Sequence, residues 1–213
     1  MPVNFKNLNE IKASLAHYHN SNLLVVSKNR NIDDIDTIYK SGTILFGENR
    51  VQEAQSKFQN YDHLDDIQLH LIGLLQTNKV DQALSLFNVI QTLDRKKLVQ
   101  AIIKEKNKNP SIKTSKFYIQ INIGNEEQKS GVPITDVEEF YHYCLNSNIK
   151  IEGLMCIPPN NINPEPFFNK MLSIRDSLSS SLSLSMGMSS DYREALKMGS
   201  NLIRVGSRIF SDA

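Results

Sequence analysis

Strand-like and helix-like stretches alternate from residue 23 to residue 206, and this limits the possible folds more than any single residue does. Apolar, β-branched runs fall at 23–28, 43–48, 67–73, 88–93, 116–123, 150–157, 183–188 and 201–206. Between them lie amphipathic segments such as 32–39 and 97–103. A helical lead-in over 8–19 carries Leu8, Ile11, Leu15 and Tyr18 on one side. Repeated βα units predict a mainly parallel sheet with right-handed crossovers. Eight of them predict an α/β fold closed as a (β/α)8 TIM barrel. An open doubly wound sheet uses the same units, and only strand order separates the two.

The 213 residues show no long linker, so one domain spanning 1–213 is expected. A net charge of +1 gives no global field to gather nucleic acid or an anionic membrane. No stretch approaches the roughly 20 apolar residues of a membrane span. Cys144 and Cys156 form no C-x-x-C pair, and the opening Met1-Pro2-Val3-Asn4-Phe5-Lys6 holds no signal-peptide core. A cytoplasmic protein is expected. The serine-rich stretch 177–185 fits a helix end and a loop, and the basic run 95–108 fits a solvated helix face.

In a barrel, function sits at the carboxyl ends of the strands. The first strand, Leu23-Leu24-Val25-Val26-Ser27-Lys28, delivers a lysine there. Apolar walls around its amine would disfavour the ammonium form, which suits Schiff-base chemistry. The last two strands end in Ser185-Met186-Gly187-Met188-Ser189-Ser190-Asp191 and Arg204-Val205-Gly206-Ser207. Small residues, hydroxyls and free N–H groups make a phosphate cup. A lysine facing such a cup points to pyridoxal 5′-phosphate. Lys28 would hold the aldehyde, Ser189, Gly206 and Ser207 the phosphate, and Arg204, on the face of Gly206, the pyridine nitrogen. Plainer readings exist for each: a lysine reaching solvent, Gly/Ser turns that are only turns, an arginine in a structural ion pair.

Further segments carry a resemblance. They are Phe46-Gly47-Glu48-Asn49-Arg50-Val51-Gln52-Glu53-Ala54, His70-Leu71-Ile72-Gly73-Leu74-Leu75-Gln76-Thr77-Asn78-Lys79, Lys129-Ser130-Gly131-Val132 and Glu152-Gly153-Leu154-Met155-Cys156-Ile157-Pro158. With the lysine, Met-Gly-Met and Arg-x-Gly-Ser segments, in this order, the chain from 28 to 210 resembles the YggS/PROSC family of pyridoxal phosphate homeostasis proteins. The resemblance implies an alanine-racemase-like barrel (fold type III) that binds pyridoxal phosphate. It makes Lys28 the Schiff-base lysine, Arg204 the partner of the pyridine nitrogen, and Ser189, Gly206 and Ser207 the phosphate site. Asn49 and Ile72 would lie beside the ring, and Met186 would line the pocket. His70 is expected as a buried structural histidine. Lys79 is either a cation behind the site or a solvated lysine. Ser207 stands where the family usually has Thr, keeping the hydroxyl. Ser211 stands where Gly often follows Ile-Phe, and the short tail after it leaves a closing helix open to question.

An arginine partner stays protonated. It donates to the pyridine nitrogen without protonating it, so the cofactor is a weaker electron sink than with an aspartate. Alanine racemases resemble this arrangement yet turn over, using a second base from another domain. This chain is expected to lack that domain, and nothing marks Tyr118 or Tyr192 as a substitute. The expected role is therefore a monomeric, non-catalytic carrier that holds pyridoxal phosphate and passes it to apoenzymes, with no metal. An amino-acid racemase-like enzyme is the alternative, and a barrel for some other phosphorylated metabolite is a third.

Overall fold

The computed structural model describes residues 3–109 and 112–210. Its strands are β1 (Asn22–Val26), β2 (Leu45–Glu48), β3 (Gln68–Leu71), β4 (Val89–Leu93), β5 (Lys116–Asn122), β6 (Val132–Pro133), β7 (Ile151–Cys156), β8 (Ser183–Ser185) and β9 (Leu202–Val205). All pairings are parallel. The order β4-β3-β2-β1-β9-β8-β7-β5, with β4 pairing β5, closes a ring of eight. Strand order thus settles the fold as the closed barrel. The two-residue β6 pairs with the carboxyl end of β5, through Ile121 and Val132, and is an addition to the ring.

Helices α2 (Ile32–Lys40), α3 (Val51–Phe58), α4 (Val80–Leu86), α5 (Lys96–Lys108), α6 (Val137–Asn146), α7 (Glu165–Leu178) and α8 (Tyr192–Lys197) make the crossovers. The lead-in helix α1 spans Phe5–Leu15, earlier than its apolar spacing suggests. Asn4 caps it by accepting from the Asn7 N–H at 3.0 Å. Asn31 caps α2 in the same way, with Asp33 and Asp34 favourably placed in the first turn. Two bonds tie the start of α1 to the segment after β9: Asn4 N–H to the Ile209 carbonyl and Asn7 Nδ2 to the Arg208 carbonyl, both 2.8 Å. No helix follows β9 within the described residues, and Ser211 with its tail lies outside them.

Strand alternation sorts side chains into two layers. Leu23, Val25, Phe46, Leu71, Ile119, Ile203 and Val205 face the helices and join Leu8, Ile35, Ile38 and Phe58 in the main core. Val89, Tyr118 and Met155 form a small separate apolar cluster. His70, Gln91, Ser185 and Arg204 are also buried, and the hydrogen bonds among them run across the ring, while buried Gln120 donates to the Ser130 carbonyl. The barrel's interior is therefore partly polar.

Gly153 on β7 leaves no room for a side chain. A Cβ there would lie 2.3 Å from the Ser183 carbonyl oxygen and 2.4 Å from the Tyr118 ring. Gly153→Ala is expected to lower the unfolding free energy by about 1–3 kcal/mol. Urea denaturation checks this, and an unchanged midpoint would contradict it.

Candidate cofactor site

β1 and β9 pair in register, with Leu24 opposite Arg204 and Val25 opposite Val205. The next residue of β9's chain, Gly206, then passes close to Val26. A Cβ on Gly206 would be 2.8 Å from the Val26 carbonyl oxygen, so only glycine lets the two strand ends converge. That convergence brings residues 207 and 28 to the same cavity, one of about 420 Å³. Ligand pockets run from about 300 to 1,000 Å³. Its walls include Lys28, Arg30, Ser189, Arg204, Gly206 and Ser207, with Val26, Met188 and Phe210 as the apolar part.

The Ser207 hydroxyl donates to Ser189 Oγ at 2.9 Å. The backbone N–H groups of Ser189, Ser190 and Ser207 have no hydrogen-bond partner among the described residues. Lys28, Arg30 and Arg204 put three cationic side chains around a cavity with no carboxylate in its lining. The local field favours an anion. Lys28 itself is exposed, since β1 ends two residues before it. The enclosing apolar walls expected around its amine are not supplied by the chain.

Arg204 is buried, and its guanidinium is held from below. One nitrogen donates to the Ser185 carbonyl at 2.6 Å and to Ser185 Oγ at 2.8 Å, and the other to the Cys156 carbonyl at 2.7 Å. It makes no ion pair among the described residues, so the plain reading of a structural salt bridge fails. Burial pulls its pKa below the ordinary value, with Cys156 and Asp191 opposing. The bonds continue inward. Ser185 Oγ donates to Gln91 Oε1 at 2.6 Å, and Gln91 Nε2 lies 2.8 Å from His70 Nδ1. With the amide oriented by Ser185, His70 Nδ1 accepts and its proton sits on Nε2, which has no partner. Burial drives the His70 pKa down to about 3, so the ring is neutral.

The residues named from sequence separate into three places. Lys28, Ser189, Arg204, Gly206 and Ser207 share the cavity. Asn49 and Ile72 line a different one of about 310 Å³, with Gln120, Asn122 and Lys129. Between the two halves lies Gly47, where a Cβ would sit 2.8 Å from Leu24 and 3.2 Å from Ile72. Met186 does not line either cavity. It is fully buried in the layer between sheet and helices, because Ser185 points inward and the next residue points out. Met188 lines the mouth instead, and its N–H donates to Asp191 Oδ1 at 2.6 Å. Lys79 lines a third cavity beside Arg50 and Gln52. His70 is buried as expected, though joined to Arg204 rather than isolated. Tyr118 and Tyr192 are buried away from the cavity, and burial raises the Tyr118 pKa, which keeps the phenol protonated. Cys144 and Cys156 are free, buried thiols, each pushed up to about 12 by burial. Nothing in the local sequence points to Arg30, Phe210 or Gln91, whose partners are distant in the chain.

No family model matches the chain. Among curated proteins, the pyridoxal phosphate homeostasis protein of Aquifex aeolicus is 38% identical over 199 residues, covering 89% of this chain and 86% of the relative. The Helicobacter pylori protein of that name is 31% identical over 211 residues, covering 96% and 94%. The chain belongs to the pyridoxal phosphate homeostasis protein family. PipY of Synechococcus elongatus, solved with pyridoxal phosphate bound, matches with a TM-score of 0.84 at 28% identity, over 97% of this chain and 99% of PipY. Alanine racemase of Acinetobacter baumannii is 16% identical, with a TM-score of 0.75 over 96% of this chain and 59% of its own. That likeness is one of barrel fold alone.

The pyridoxal phosphate group fits the cavity of this family member. The cavity offers an amine, two hydroxyls with unpartnered N–H groups nearby, and a buried guanidinium with no direct ion pair among the described residues. The buried imidazole sets an acid limit on the support beneath that guanidinium. Folded His70 protonates near pH 3, whereas an unfolded histidine protonates near pH 6.5. The stability His70 contributes is present above pH 6.5 and is lost as pH falls toward 3, at up to about 1.4 kcal/mol per pH unit. His70→Asn is expected to flatten this loss between pH 6.5 and 4.5 in urea unfolding curves. An unaltered slope would contradict it.

Proposed function

We propose that this protein holds pyridoxal 5′-phosphate reversibly on Lys28 and releases it to apoenzymes, without turnover. Bound there, the cofactor supplies an aldehyde that condenses with an amine and a ring that draws electrons from it. The carrying observation is the make-up of the cavity: the amine of Lys28 opposite Ser189 and Ser207, with Arg204 buried at its base. The name of the family and the pyridoxal phosphate bound to PipY support the same reading.

In this reading Ser189, Ser207 and the unpartnered N–H groups of 189, 190 and 207 bind the phosphate as donors. Arg204 donates toward the ring nitrogen and keeps its own protons, because Ser185 and the Cys156 carbonyl hold it in place as a cation. Lys28 keeps its amine free, with no hydrogen-bond partner among the described residues. The described wall holds no Asp, Glu, His or Tyr to serve as a second base, which favours carriage over racemisation. No helix among the described residues is long and apolar enough to cross a membrane. We place the protein in the cytoplasm as a single barrel unit and a monomer.

Borohydride reduction of the loaded protein, followed by peptide mapping, is expected to label Lys28. Label on another residue would overturn the site. Incubation with L-alanine in D₂O is expected to give no sustained exchange at the α-carbon. Continuing exchange that disappears in Lys28→Ala would establish the enzyme reading instead.

A further inference from the structure

Lys28 lies on a loop, yet the backbone on both sides of it is held by charge. The peptide before it ends in the Ser27 carbonyl, which accepts from Lys57 Nζ at 2.8 Å. The peptide after it begins at the Asn29 N–H, which donates to Glu53 Oε1 at 2.5 Å. Lys57 and Glu53 are neighbours on α3, and Lys57 Nζ also reaches Glu53 Oε1 at 3.3 Å. Its third bond goes to Glu48 Oε1 at the end of β2, at 2.8 Å. All three ammonium hydrogens of Lys57 are thereby used. The Ser27 hydroxyl donates to the same Glu48 oxygen at 2.7 Å.

This network lies outside the barrel wall. Ser27 and Glu48 are fully buried, and the Lys57 side chain is only 8% exposed. Burial raises the Glu48 carboxyl above its ordinary range, opposed by Lys57 and Ser27. A buried pair of this kind is a poor source of stability compared with apolar packing. What it does do is fix geometry. It also holds Asn29 at φ +58°, a left-handed conformation that asparagine tolerates better than most residues. Two adjoining peptide planes fixed to one network leave the Cα–Cβ bond of Lys28 little freedom, while its amine stays exposed and unpaired.

We propose that Lys57, Glu48 and Glu53 are positioning residues for Lys28, presenting its amine to the carbonyl carbon of an aldehyde ligand whose phosphate is held by Ser189 and Ser207. The proposal rests on the reading of Lys28 as the Schiff-base residue. None of the three lines the cavity, so their effect falls on the covalent bond and not on phosphate binding. Condensation there joins Lys28 Nζ to the aldehyde carbon and releases the oxygen as water.

The test compares two ligands of the intact protein: pyridoxal 5′-phosphate, which has the aldehyde, and pyridoxine 5′-phosphate, which has an alcohol in its place. Glu53 is the residue to change, because removing either member of the buried Glu48–Lys57 pair risks the fold. Glu53→Ala is expected to weaken pyridoxal phosphate binding about tenfold, the worth of one charge-assisted hydrogen bond, with a matching loss of imine absorbance. Pyridoxine phosphate affinity should stay within about twofold, since phosphate contacts are untouched. Glu53→Gln, whose amide oxygen still accepts from Asn29, should restore most of the imine signal. Equal loss of both ligands would assign Glu53 a general structural role and overturn the proposal, as would no loss of either. If wild type and Lys28→Ala give the same pyridoxal phosphate spectrum, the functional reading itself fails and this inference falls with it.

Discussion

The ladder between β9 and β1 is the contact on which the site depends. Lys28 follows the first strand, while Arg204, Gly206 and Ser207 come from the last. Nothing local brings them together. Four registered pairs between the two strands do so, and a glycine at 206 allows the final approach. The bonds between α1 and the segment at 208–209 close the same seam from outside. The start of α1 and the segment after β9 thus meet beside the cavity where the cofactor is proposed to bind.

Charge is then distributed in a way that suits a tether. Three cations face the cavity and no acid lines it among the described residues, so the field there draws in an anionic group and sets no carboxylate beside the lysine amine. Arg204 is buried with carbonyl and hydroxyl hydrogen-bond partners and no direct ion pair among the described residues. Behind it, Ser185, Gln91 and His70 run hydrogen bonds across the barrel interior, each satisfying the next. Polar residues inside a barrel carry a desolvation cost, and here they keep one guanidinium in one orientation.

Much of this was legible from sequence. The period of βα units pointed to eight strands, with closure fixed only by their order in the sheet, and the lysine and Gly/Ser segments share one cavity. What surrounds the strand ends was harder to read. Met186, placed in the pocket by resemblance, turns into the outer core just past the end of β8 at Ser185. Asn49 and Ile72, placed beside the ring by resemblance, line a neighbouring cavity across Gly47. The polar interior was not legible at all: Gln91 and Ser185 are 94 residues apart, and only closure makes them partners. The Lys57 network was hidden for a similar reason, since a lysine on a helix reads as a solvated face until its three acceptors are known.

The most direct test of this arrangement is a crystal structure of the protein loaded with pyridoxal phosphate. The expected result is phosphate density between Ser189 and Ser207, continuous density from the ring to Lys28 Nζ, and Arg204 within hydrogen-bond distance of the ring nitrogen. Cofactor bound instead in the cavity of Asn49 and Lys129, with Lys28 free, would contradict it.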